Sequence, residues 1–295
     1  MKTTLSTSYR NMQSLLDQMS TKMANLNSQA ASGLRVTKAS DDPSAVQPIL
    51  STRAQMTQNT QYQSTMSTAA DHYSIVDTQL SNVQNLLVQA KEIAVQAGNG
   101  TYTSTDLATL QGQITQVKAA MVDLGNAQVN GKYLFSGYKD DTQPFSGNPP
   151  TYSGDDNHQE IAIGPSQKVQ TNVTGNEVFM GAGGGVNVFT ILTNMESALG
   201  SGNASGATAE LNNLNTAMDQ VSKYQGQLAN YAKTVDNAQT SMQDTQTALT
   251  STLSHYQDVD ITQTLTALTQ QQTAYQAALS VTSQISKLSI LNYMK

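Results

Sequence analysis

The sequence predicts a mainly α protein: an elongated bundle of long heptad-patterned helices, both termini paired as coiled-coil helices, with a small β-rich central insertion. Three observations predict it. Apolar residues recur at alternating steps of three and four near both ends and through the interior, the spacing that keeps one stripe on one face of a helix. Aromatic residues make up only 5% of the 295 residues and Trp is absent, which leaves little material for a thick globular core. Between Gly131 and Gly185 the helical period disappears, and Pro144, Pro149, Pro150 and Gly- or Asp-rich turns separate short β-like runs.

The first helix carries Tyr9, Met12, Leu16, Met19, Met23, Leu26 and Ala30 on one stripe, and Gly33 follows where a helix end needs positive φ. Asp42 is a natural N-cap for the second helix and Pro43 suits its first turn. Pro48 removes a backbone donor, so the continuous helix is expected to begin nearer Gln47. Ile49, Thr52, Met56, Tyr62, Met66, Tyr73, Val76, Leu80, Val83, Leu87 and Ala90 then carry the pattern to Ala97, a helix of roughly 75 Å. Gly98-Asn99-Gly100 breaks it. Thr103 and Asp106 have the spacing of a capping box, opening a return helix striped by Leu107, Leu110, Ile114, Val117, Met121 and Leu124.

Short strands are expected at Tyr133–Phe135, Glu160–Ile163 and Val169–Val173, then a short helix from Val188 to Leu199 and a Gly200–Gly206 linker. From Leu211 to Tyr256 one column is apolar at every seventh residue: Leu214, Val221, Leu228, Val235, Met242 and Leu249. Its companion column is half polar, with Gln225, Gln239 and Gln246. A stripe that thin needs several helical neighbours to cover it. After Asp258-Val259-Asp260, the last segment resumes with Ile261, Leu265, Leu268, Tyr275, Leu279, Ile285, Leu288 and Leu291. The expected domains are therefore 1–42 with 258–295, a terminal coiled-coil layer; 43–131 with 186–257, a long-helix bundle; and 132–185, a β-rich solvent-facing insertion.

Chemistry finds little purchase here, and an enzyme is not expected. His72, His158 and His255 stand far apart and outside any metal-ligand spacing. No G-x-S-x-G elbow exists, and Gly181-Ala-Gly-Gly-Gly-Val186 departs from G-x-G-x-x-G. No catalytic, metal or cofactor residue is assigned. The absence of Cys removes disulfides and thiolate chemistry. A formal charge of −6 without a Lys/Arg cluster argues against nucleic acid as a partner. No run of 18 apolar residues exists, so membrane insertion is not expected.

The heptad stripes of the interior are expected to close a bundle within the chain. Those at the two ends are expected to pack between molecules, because long, thinly striped terminal helices are marginal alone in water. Arg35, Asp41 and Asp42 are expected to form a structural turn, with any exposed ion pair contributing well under about 1 kcal/mol.

The segment from Ala31 through Gly33, Leu34 and Arg35 to Asp41-Asp42-Pro43 resembles the N-terminal motif of bacterial flagellins and their hook-associated relatives. The final segment, from Asp258 through Gln272-Thr-Ala-Tyr-Gln-Ala-Ala-Leu279 to Met294, resembles that family's C-terminal helix. The run Asn130-Gly-Lys-Tyr-Leu-Phe-Ser-Gly-Tyr138 is similar to a stretch typical of the hook-associated members. This resemblance implies a secreted structural adaptor at the hook–filament junction of the flagellum, self-assembling into a ring or tube. Its partners would be a neighbouring hook-associated protein, flagellin and an export chaperone at the C-terminal helix, with passage through the flagellar type III system. A short filament-forming flagellin is the alternative. Within this reading the assembly residues are the two terminal stripes, and Gly33, Arg35, Asp41, Asp42 and Pro43 form the family's turn.

Overall fold

The computed structural model describes residues 2–293, with side chains described for residue 7 and from 9 to 284. Seven helices account for most of it: α1 (Lys2–Ser32), α2 (Pro43–Ala97), α3 (Ser104–Gly125), α4 (Val188–Gly200), α5 (Ala204–Ala209), α6 (Leu211–Gln257) and α7 (Ile261–Tyr293). The chain divides into two units, one of residues 1–58 and 245–295, the other of residues 59–244. Both boundaries fall inside long helices, α2 and α6.

In the second unit the predicted stripes meet. Val76, Leu80, Val83 and Leu87 of α2, Ile114 and Met121 of α3, and Leu214, Val221 and Leu228 of α6 belong to one buried cluster. The fully buried column of α6 ends at Val235, and Met242 and Leu249 are only half-buried. The thin companion column is supplemented by Ala217, Gln220 and Tyr224. Gln220 is buried because its amide is fully used: Nε2 donates to the Val178 carbonyl (2.8 Å) and Oε1 accepts from the Val186 amide (2.8 Å). A buried amide with both ends satisfied avoids the penalty of an orphaned polar group.

The α2–α3 connection follows the sequence closely. Thr103 and Asp106 form a full capping box, with the Thr103 amide donating to Asp106 Oδ2 (2.9 Å) and the Asp106 amide donating to Thr103 Oγ1 (3.3 Å). Pro48, by contrast, lies inside α2, which begins at Pro43 rather than near Gln47. The lost bond frees the carbonyl of Ser44, an exposed residue that water reaches, while Asp42 caps the helix start, its Oδ1 accepting from the amides of Ser44 (3.1 Å) and Ala45 (3.2 Å).

The central region holds three separate antiparallel hairpins: β1 (Gln128–Val129) with β2 (Lys132–Tyr133), β3 (Phe145–Ser146) with β4 (Thr151–Tyr152), and β5 (Glu160–Ala162) with β6 (Lys168–Gln170). The strands are shorter than the sequence suggests: the Leu134 amide still donates to the Ala127 carbonyl (3.0 Å), but Leu134 and Phe135 are buried in the core beyond β2. Asn130 and Gly131, both at positive φ, turn the first hairpin. Phe145, Phe179 and Phe189 pack ring on ring at 5.1–5.8 Å, and they join the same cluster as the helix stripes. The hairpins thus share the core of the helices in their unit. The Gly200–Gly206 stretch, expected as a linker, contains the start of α5, whose N-cap Asn203 accepts from the Gly206 amide (3.0 Å).

Candidate assembly site

In the first unit, α1 packs along α7. On α1 the half-buried apolar positions are Met12, Leu16, Met19, Met23, Leu26 and Ala30, alternating by four and three as the sequence predicts, with Gln29 half-buried beside Ala30. On α7 the covered positions are Thr264, Leu268, Gln271, Tyr275, Ala278 and Thr282, alternating by four and three, with Ala267 half-buried beside Leu268. Among the described residues of α7, Leu268 is the most deeply covered apolar one at 9% exposure. Gln271 Nε2 donates to the Met19 carbonyl (3.3 Å), pinning the two helices together at mid-seam.

The apolar residues of α7 therefore lie on more than one face. Leu268 and Tyr275 face the seam, while Leu265 and Leu279, fourteen residues apart on the adjoining face, remain 49% and 44% exposed; Ile261, in the seam column at the helix start, is 52% exposed, and Val281, on another side, 47%. On α1, Tyr9 and Leu15 are also exposed. Successive residues on a helix are separated by about 100°, so Leu265 and Leu268 share a helix side yet point about 60° apart. That difference is enough to move one from the seam to solvent. Ile285, Leu288 and Leu291 lie outside the residues whose side chains are described.

The turn after α1 ties this pair to the helices behind it. Gly33 takes φ +72° as its amide donates to the Gln29 carbonyl (2.9 Å), closing α1 in the left-handed conformation that glycine adopts without strain. The chain then runs beside the end of α6. The Arg35 amide donates to the Gln257 carbonyl (2.7 Å), the Val259 amide donates to the Gly33 carbonyl (3.0 Å), and Leu34 forms an antiparallel bridge with Asp258. The two crossings between terminal helices and bundle helices are thus hydrogen-bonded to each other.

Arg35 spans this junction: Nη1 pairs with Asp42 Oδ2 (2.9 Å) and Nη2 donates to the Tyr256 carbonyl (2.8 Å). Carbonyls at a helix C-terminus lack internal partners and attract cations, so the guanidinium suits both contacts. Asp42 also accepts from Ser44 Oγ (2.6 Å); that bond first, and Arg35 second, hold its carboxyl at about 2. Asp41 folds the other way, its Oδ2 accepting from the amides of Lys38 (2.8 Å) and Thr37 (3.0 Å), which lower its pKa in that order. Each carboxylate of the motif therefore closes a different turn. Pro43 opens α2 directly behind them. Beneath lies a small cluster of Val36, Ala45 and Ile49 packed against Leu253 and Tyr256.

Sequence reasoning missed several members of this site. Gln257 is buried, and its Oε1 accepts from Arg53 Nη2 (3.0 Å) while its carbonyl receives the turn. Thr264 and Gln271 sit in the seam although both are polar. A heptad search that admitted polar residues would have found those two. Nothing local marks Gln257, whose partners lie some two hundred residues earlier.

The histidines do not converge. His72 Nδ1 lies 3.1 Å from the Thr171 carbonyl, and burial lowers its pKa; His158 pairs with Gln170, and His255 stacks edge-on with Tyr256. Among the described residues no cluster of potential metal ligands occurs, and no helix is long and apolar enough to cross a membrane.

Comparison with known proteins gives matches at both ends. The model of the bacterial flagellin N-terminal helical region matches residues 5–140, and that of the bacterial flagellin C-terminal helical region matches residues 211–294. The chain is 27% identical over 290 residues to flagellar hook-associated protein 3 of Escherichia coli (strain K12), covering 90% of this chain and 91% of that one. Among solved structures, hook-associated protein-3 of Legionella pneumophila aligns with a TM-score of 0.63 at 18% identity, over 70% of this chain and 98% of that one. The flagellar junction protein FlgL of the same organism aligns at 0.61 and 18%, over 72% and 100%. At such identities the two structures show a shared fold.

Proposed function

Because the chain belongs to the bacterial flagellin family, we propose that it is the structural adaptor joining the flagellar hook to the filament. The single observation that carries this reading is the two-faced terminal helix pair. One apolar face of α7 is closed by α1, and a second, including Leu265 and Leu279, is left in water. Apolar side chains repeated along an exposed helix are covered when identical or related subunits pack beside it. Similarity to a hook-associated protein 3 along nine-tenths of both chains supports a junction role over a filament one.

The mechanism is geometric. The α1–α7 pairs of neighbouring subunits form a ring or tube, with a neighbouring hook-associated protein on one side and flagellin added on the other. The Arg35–Asp42–Tyr256 junction sets how the pair leaves its helices, so that each subunit presents the same surface to the next. Export proceeds through the flagellar type III system, with a chaperone covering the C-terminal helix beforehand. No step needs a catalytic group or cofactor.

Deletion of the gene tests this directly. Cells without the protein are expected to build hooks, release flagellin into the medium and carry no filaments. Normal filaments in the deletion strain overturn the junction assignment, and thousands of copies per filament in the wild type would make the protein a filament subunit.

A further inference from the structure

Three of the six seam positions on α1 are methionines: Met12, Met19 and Met23. All three are half-buried, as are Met56, Met180, Met218 and Met242 elsewhere in the chain, whereas Met66, Met121 and Met195 are fully enclosed; what sets Met12, Met19 and Met23 apart is that they share one seam. The chain contains no cysteine to react first with an oxidant. We propose that Met12, Met19 and Met23 form an oxidation site for peroxides, and that sulfoxide formation there separates α1 from α7.

The chemistry is a two-electron oxygen transfer. A lone pair on the thioether sulfur attacks one oxygen of hydrogen peroxide and the O–O bond breaks. The new S–O bond forms, and the departing hydroxide takes up the proton of the transferred oxygen and leaves as water. Sulfur is oxidised and peroxide reduced, with no further reactant. The product replaces a flexible apolar side chain by a strongly polar one.

The seam tolerates that change poorly, because it is only two columns wide on each helix. Opposite the methionines, α7 offers Leu268, Tyr275 and the small or amide side chains between them. Gln271, the polar group beside Met19, already spends one of its two Nε2 hydrogens on the Met19 carbonyl. A sulfoxide oxygen in the seam loses water and gains no assured donor, which costs free energy. Leucine would fill the same positions without this vulnerability.

The test uses the full chain and hydrogen peroxide. Samples are quenched in time, digested and mapped by mass spectrometry, while limited proteolysis follows α1. Sulfoxide at Met12, Met19 and Met23 is expected to accumulate about tenfold faster than at Met66, Met121 and Met195, since access to sulfur controls the reaction. Protease sensitivity of α1 should rise in step and fall again after treatment with methionine sulfoxide reductases. Equal rates at all six methionines overturn the proposal, as does seam oxidation that leaves α1 equally resistant. The triple variant M12L/M19L/M23L should keep α1 resistant after peroxide; sensitivity equal to wild type places the damage elsewhere. If that variant folds poorly, failure of the reductases to restore wild-type α1 is itself the refuting result. These readouts concern pairing within one chain, so they are independent of the junction assignment.

Discussion

Leu268→Ala and Leu265→Ala, three residues apart on α7, should separate pairing within the chain from packing between chains. Leu268 is 9% exposed in the seam with α1, and Leu265 is 49% exposed on the adjoining face. Truncating Leu268 removes three buried carbons at about 0.8 kcal/mol each, so roughly 2 kcal/mol after allowing for its partial exposure. That is the low end of the range for leucine, because a seam open to solvent leaves no sealed cavity. At 1.4 kcal/mol per factor of ten, α1–α7 opening should increase about 30-fold. Leu265→Ala should change the isolated chain by no more than about 0.5 kcal/mol. Amide hydrogen exchange along α1 and α7 of the purified chain measures both values, and filament formation in a complemented deletion strain measures assembly. Leu268→Ala should accelerate exchange and weaken assembly. Leu265→Ala should leave exchange unchanged and still reduce filament formation. Normal assembly by Leu265→Ala refutes the claim that the exposed face of α7 is a subunit contact. Unchanged exchange in Leu268→Ala refutes the seam.

Two further outcomes are expected. Asp42 titrates near 2 in the folded chain against an ordinary 3.8, and Asp41 is also lowered. A carboxyl depressed by folding stabilises the fold fully above its unfolded pKa and loses that contribution as pH falls through the folded one. The turn should therefore loosen between about pH 4 and pH 2, read as faster exchange of the Thr37, Lys38 and Ser44 amides, while the amides of α4 stay protected. Phe145→Ala empties a fully buried position between Phe179, Phe189 and Tyr152, and should cost about 3–5 kcal/mol. Thermal unfolding followed by circular dichroism should show a midpoint lower by roughly 10 °C for a unit of this size, and a shift under a couple of degrees would contradict the packing described.

The sequence alone determined what is settled within a few residues along the chain. Helical hydrogen bonds join residues four apart, so a stripe such as Val76, Leu80, Val83 and Leu87 announces both the helix and its buried face. The Thr103–Asp106 capping box and the left-handed Gly33 are local in the same sense, and each appears where its residue types require. Only the tertiary structure decided contacts between distant segments. It placed Arg35 on the carbonyl of Tyr256 and bridged Leu34 to Asp258. It also divided the apolar residues of α7 between a closed seam and an open face, and gave Thr264 and Gln271 places that hydrophobicity would not assign them. The physical reason is that periodicity shows which residues share a side of one helix, whereas the neighbour that covers that side is chosen by packing of the whole chain.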